Sequence, residues 1–179
     1  MPDTLGLTPS QTTGPYLSIG LLRDLVPAAL VDPGGAGAIR IRGLLLDGAG
    51  TGVTDGMIEI WQASPGGAYG SDGFGGFGRV GTGDGGAYEL VTLKPGRVAW
   101  PDGRLQAPHI AVGVFARGLL KRVVTRLYFP DEPEANYADP VLSALPPSRR
   151  ESLVAIPEDG GLRFDIHLQG PSETTFFAV

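Results

Sequence analysis

Leu162-Arg163-Phe164-Asp165-Ile166-His167-Leu168-Gln169 sets apolar side chains on one face of an extended chain and polar ones on the other. A period of two is what a strand with one buried face requires. Working outward from this stretch, the pattern recurs. Ile39-Arg40-Ile41-Arg42 alternates, runs into Leu44-Leu45-Leu46 and ends at the turn Asp47-Gly48. Met57–Gln62 opposes Ile58 and Ile60 to Glu59 and Trp61, and Tyr88–Leu93 stops at Lys94-Pro95-Gly96. His109–Ala116 and Arg122–Phe129, linked around Gly118, read as two further strands. Short strands separated by turn signals predict a mainly β fold, a β-sandwich.

Helix is sparse by composition. The 179 residues include 29 glycines and 16 prolines, and each costs a helix interior about 1 to 3 kcal/mol. A helical turn is expected around Leu21–Leu25, and a turn or two over Pro133–Leu145, broken at Pro140. Ser148-Arg149-Arg150-Glu151 has capping-box spacing, with Pro157 limiting it to a helical turn that leads into an edge strand. Residues 1–38 read as an irregular N-terminal arm and 39–179 as the sandwich domain. Residues 66–86, with 11 glycines in 21 positions, read as one long loop.

The net charge of −5 and a pI near 4.9 give no electrostatic reason to bind nucleic acid or an anionic membrane. Without cysteine there is no disulfide framework and no thiolate metal site. The first residues carry no signal-peptide pattern, and no apolar run approaches the roughly 18 residues that span a bilayer. A soluble, cytoplasmic protein is the expectation. Gly73-Phe74-Gly75-Gly76-Phe77-Gly78 fits a dinucleotide fingerprint in letters, but lacks the strand before and the helix after that would aim amides at a pyrophosphate. It reads as part of the loop. The acidic run Asp131, Glu132, Glu134 reads as a solvated surface.

Ile41, Gly43, Leu45, Gly50, Val53, Ile58-Glu59-Ile60, Gly67 and Tyr69 stand at a spacing that resembles the signature of intradiol ring-cleavage dioxygenases. The likeness continues through Trp61-Gln62-Ala63, Gly78-Arg79, Thr82, Gly86, Tyr88, Thr92 and Lys94-Pro95-Gly96 to Ala107-Pro108-His109-Ile110. It implies a β-sandwich of intradiol dioxygenase type. Members of this family hold a non-heme ferric ion with two Tyr and two His, and hard phenolates favour Fe(III) over Fe(II). Tyr69 falls at the first Tyr position and His109 at the first His. The family's His-x-His places both imidazoles on one strand face, about 7 Å apart. Here the second His position is Ala111, and the second Tyr position is best matched by Val98. His167, the other histidine, lies on a different predicted strand, so this chain is expected to bind no metal and to do no chemistry alone.

Three further stretches resemble the metal-free α chains of the family's two-subunit members, which cleave protocatechuate. They are Thr8–Tyr16, Thr125-Arg126-Leu127-Tyr128-Phe129 and Glu173-Thr174-Thr175-Phe176-Phe177. The resemblance implies a hetero-oligomer of αβ units, with Fe(III) on a β subunit of the same fold. The assembly would insert both atoms of O2 into protocatechuate and yield 3-carboxy-cis,cis-muconate, a step of aromatic catabolism in the β-ketoadipate pathway. It also implies that Thr12, Gly14, Pro15 and Tyr16 border the substrate pocket and that Arg126 faces the substrate carboxylate. By strand alternation Arg126 shares a face with Arg122, Val124 and Tyr128. Two alternatives stay open at this point: a self-sufficient catechol-cleaving enzyme, and a non-enzymatic transthyretin-like binding module.

Overall fold

A computed structural model describes residues 7–22, 27–70 and 73–178. Two sheets face each other. In the first, β1 (Ala38–Leu46) pairs antiparallel with β4 (Ala87–Leu93) on one side. On its other side it runs parallel to two short segments, β10 (Gly161–Arg163) and β11 (Ile166–His167). β9 (Ile156–Glu158) forms the edge beyond β10, where the sequence places an edge strand. The second sheet is antiparallel throughout, in the order β3 (Phe77–Gly81), β2 (Met57–Gln62), β7 (His109–Phe115), β8 (Val123–Tyr128).

Alternation does the sorting. Ile41 and Leu45 from β1, Leu90 from β4, Ile58 and Ile60 from β2, Ile110, Val112 and Val114 from β7, and Leu127 from β8 all enter one buried cluster. Burying such a side chain contributes about 1.5–3 kcal/mol. Gln62 lies inside this otherwise apolar interior with every polar atom served. Its Oε1 accepts from Thr92 Oγ1 at 2.8 Å and its Nε2 donates to the Leu93 carbonyl at 2.8 Å, which ties the two sheets together.

The opening stretch of the sequence is not one continuous strand. Its burial alternates as expected, with Phe164 and Ile166 inside, but its pairing breaks at Phe164-Asp165. The Asp165 carboxylate accepts the Leu44 backbone N–H at 3.0 Å, the place of a strand carbonyl. Tyr88 Oη donates to the Phe164 carbonyl, which lies so close to β1 that a Cβ at Gly43 would come within 1.9 Å of it.

The glycine-rich stretch 66–86 is likewise not one loop, because it contains β3, paired along β2 from Met57 to Trp61. Its glycines make room for the chain that precedes β1. A Cβ at Gly78 would meet Leu30 Cδ1 at 2.4 Å, and one at Gly81 would meet Leu22 Cδ1 at 2.7 Å. Residues 27–30 are stitched across the gap between the sheets. Pro27 O accepts from Arg79 N, and Ala28 and Leu30 exchange backbone hydrogen bonds with Val91. Part of the 1–38 arm is therefore bound into the sandwich.

The helical segments are short. α1 (Tyr16–Leu21) starts earlier than the expected turn, of which residues 23–25 lie outside the described residues. α2 (Pro133–Ala138) and α3 (Pro140–Ser143) divide at Pro140 as the sequence indicates. α4 (Pro147–Arg150) begins one residue before Ser148 and has Pro146 at its N-cap, so the capping box does not form. A small hairpin, β5 (Val98–Ala99) with β6 (Leu105–Gln106), was not foreseen. Among the described residues no helix is long and apolar enough to cross a membrane.

Candidate functional site

The residues singled out in the sequence gather in two places. The first is the arm. Thr12 Oγ1 accepts the Gly118 backbone N–H at 2.8 Å, which pins the arm to the link between β7 and β8. Pro15 then starts α1, a helix with no buried residue, leaving Tyr16 79% exposed. A cavity of about 510 Å³ opens beneath, lined by Thr13, Gly14, Pro15, Asp55 and Arg117 among others. Arg117 lies beside Gly118, and its guanidinium pairs with Asp55 while keeping most of its surface in solvent. Among the described residues nothing hydrogen-bonds to the buried Thr13 Oγ1, which costs about 1–3 kcal/mol unless something supplies a partner.

The second place is the degenerate metal position on the outer face of β7 and β8. Arg126 pairs across the strands with Ala111, not with the arm. Its Nη1 donates to Gln106 Oε1 at 2.8 Å and to Tyr128 Oη at 3.3 Å. Arg126 is not among the residues that line the arm cavity; the guanidinium there is Arg117. Both positions lie on or beside the same hairpin. The alternation that identifies Arg126's face does not say which end of the sheet the arm crosses.

Around Arg126 the environment is built for a fixed cation. Buried His109 directs Nδ1 at the Ala107 carbonyl, 2.8 Å away, so Nδ1 carries the proton and donates. Burial, then the charge of Arg126, push its pKa down to about 4, so the ring is neutral at pH 7. Burial raises the Tyr69 phenol above its ordinary value, with Arg126 pulling the other way, and Tyr69 lies stacked on Trp61 at 5.6 Å. The Tyr128 phenol is likewise pushed up by burial against the opposing pull of Arg126. Tyr128 donates to Asp139 Oδ1 at 3.2 Å. Fully buried Asp139 also accepts from the backbone N–H groups of Ala107, Val141 and Leu142, so it caps α3 and holds β6 and β8 together.

These residues do not fit a ferric ion. Val98 and Ala111 offer no donor atom, Tyr69 is a neutral phenol committed to a ring stack, and a permanent cation lies across from Ala111. Among the described residues no group of three or more His, Cys, Asp or Glu could hold a metal.

Comparison with known proteins agrees with the chain's layout. The dioxygenase family profile, Dioxygenase_C, matches residues 23–170. The protocatechuate 3,4-dioxygenase alpha chain of Burkholderia cepacia is 41% identical over 199 residues, spanning 98% of this chain and 99% of that one. The beta chain from the same organism is 31% identical over 156 residues, covering 76% of this chain and 66% of its own length. Among solved structures, the dioxygenase domain of a dioxygenase–carbohydrate-binding protein fusion from Streptomyces sp. SirexAA-E superposes with a TM-score of 0.62 at 30% identity. That match covers 91% of this chain and 98% of the domain.

Proposed function

The chain belongs to the intradiol dioxygenase family, and from that premise we propose that it is the iron-free α subunit of a protocatechuate 3,4-dioxygenase. The observation that carries the reading is a full-length likeness to alpha chains, joined to a ligand set that has lost two members and gained Arg126. The ferric ion then belongs to a β subunit of the same fold, in an (αβ)n assembly located in the cytoplasm. The assembly breaks the ring bond between the two hydroxyl-bearing carbons of protocatechuate. Both oxygen atoms of O2 enter the product, 3-carboxy-cis,cis-muconate.

This chain's share of the work is shape and charge. The arm, with Thr12, Gly14, Pro15 and Tyr16, presents unburied apolar surface and a Thr13 hydroxyl unpartnered among the described residues, as a segment does when a partner completes it. We assign to Arg117, which lines the cavity beneath the arm, the cation that meets the substrate's carboxylate, the role that the resemblance implies for Arg126. A guanidinium stays charged at any working pH and donates two parallel hydrogen bonds to a carboxylate.

Co-expression with an iron-bearing β chain tests the reading. The pair should carry one iron and cleave protocatechuate, and Tyr69→Phe in this chain should leave the iron content unchanged. Metal analysis finding iron on this chain alone, together with cleavage of a catechol, would overturn the assignment.

A further inference from the structure

Charge is spread unevenly along this acidic chain. Between Asp102 and Asp131 the sequence has no acidic residue and five Lys and Arg, while the remainder sets nine Lys and Arg against nineteen Asp and Glu. Three of the five, Arg117, Lys121 and Arg122, fall on the short link from β7 to β8, and all three are exposed. This link lies against the arm, since Gly118 donates its backbone N–H to Thr12 Oγ1. Thr13 lines two cavities here, the one of about 510 Å³ that holds Arg117 and a smaller one of about 220 Å³ lined also by Lys121 and Arg122.

Counter-ions are scarce around the link. Asp55 pairs with Arg117, but among the described residues no carboxylate pairs with Lys121 or Arg122. Glu59, which lines a groove with Arg122, is already committed to Arg79, whose Nε donates to it at 2.9 Å. Cations this solvated gain little from any single contact. Their field reaches further, to about 10 Å at 0.1 M salt. A small anion nearing a body of net charge −5 is repelled over most of the surface and drawn in where the local potential is positive. A cleft rimmed by charge of one sign concentrates the opposite ion and speeds its capture by about ten-fold or more.

We propose that Lys121 and Arg122 steer an anionic substrate into the arm cavity without touching it, raising the rate of capture and leaving the chemistry to other groups. The proposal rests on the reading that the arm cavity receives the substrate's carboxylate, and it deepens that reading. Preference for the acid over a neutral catechol is then set at encounter as well as by contact with Arg117.

Steady-state kinetics of the assembled αβ enzyme as a function of ionic strength test it. With Lys121→Glu and Arg122→Glu together, kcat/KM for protocatechuate should fall about ten-fold at about 0.01 M salt, mainly through KM. The Debye length shrinks from about 30 Å at that ionic strength to about 3 Å at 1 M, so variant and wild type should converge to within about two-fold at high salt. Catechol, which is uncharged, should be turned over equally by both at every ionic strength. Lys121→Arg with Arg122→Lys, which keeps both charges, should match the wild type. A structural role or a direct contact would persist in high salt, so a salt-independent loss overturns the proposal, as does the absence of a loss at low salt. Either result leaves the functional reading intact as long as the wild-type assembly cleaves protocatechuate; an assembly that cleaves catechol alone overturns both. Should the double reversal fail to assemble, Lys121→Gln with Arg122→Gln decides. Half the change in charge should cost about three-fold at low salt and nothing at high salt, and no loss at low salt refutes steering.

Discussion

Acidification should destabilise this protein through His109 in particular. The ring is buried, donates Nδ1–H to the Ala107 carbonyl and feels the charge of Arg126, which together hold its pKa near 4 in the folded chain. In the unfolded chain the same imidazole titrates near 6.5. Between those values the unfolded state binds a proton that the folded state refuses, so stability rises with pH across the window and falls as pH drops through it. A displacement that large amounts to about 3 kcal/mol, fully lost once the pH is below 4. For a chain of this length that corresponds to a fall in Tm of about 6 to 12 °C. Thermal unfolding followed by circular dichroism between pH 7 and pH 4 measures it, with His109→Gln as reference. Glutamine retains an N–H donor for Ala107 but has no titratable ring. Carboxylates titrate in both proteins, so the gap between the two Tm curves isolates the imidazole. The wild type should lose about 6 to 12 °C more than the variant over the window. Parallel curves would refute the reasoning.

Two further substitutions separate the arm from the network beneath Arg126. Arg117→Ala removes a solvent-exposed ion pair with Asp55, so its effect on stability should stay within about 0.5 kcal/mol. In the assembled enzyme it should lower kcat/KM for protocatechuate by about ten-fold or more while catechol, without a carboxylate, loses little; steady-state kinetics showing an equal loss for both would remove the recognition role. Asp139→Ala strips the cap from α3 and leaves the Ala107 N–H and the Tyr128 hydroxyl without their buried acceptor, which should cost about 3–5 kcal/mol. Urea unfolding that finds less than about 1 kcal/mol would show that water or another group takes the acceptor's place.

How much of this was legible beforehand follows from where each signal resides. The period-two alternation of Ile39–Leu46, Met57–Gln62 and Leu162–Gln169 is a property of each segment, so strands, faces and the sandwich class could be read locally. So could the poverty of the ligand set, because Val98 and Ala111 have no donor atom in any fold. Other features depended on segments far apart in the chain. β3 hides among glycines that look like a loop until Leu22 and Leu30 are seen against Gly81 and Gly78. The strand break at Phe164-Asp165 exists because the Asp165 side chain reaches Leu44, 121 residues away. Of the two cations on or beside one hairpin the sequence singles out Arg126 and passes over Arg117, and only strand register and the path of the arm separate them, one at the arm cavity and one opposite Ala111. Periodicity records which side of a strand meets water, since that preference acts on each residue where it stands. Register and cross-sheet contact record where distant segments come to rest, and that is settled by the packing of the whole chain.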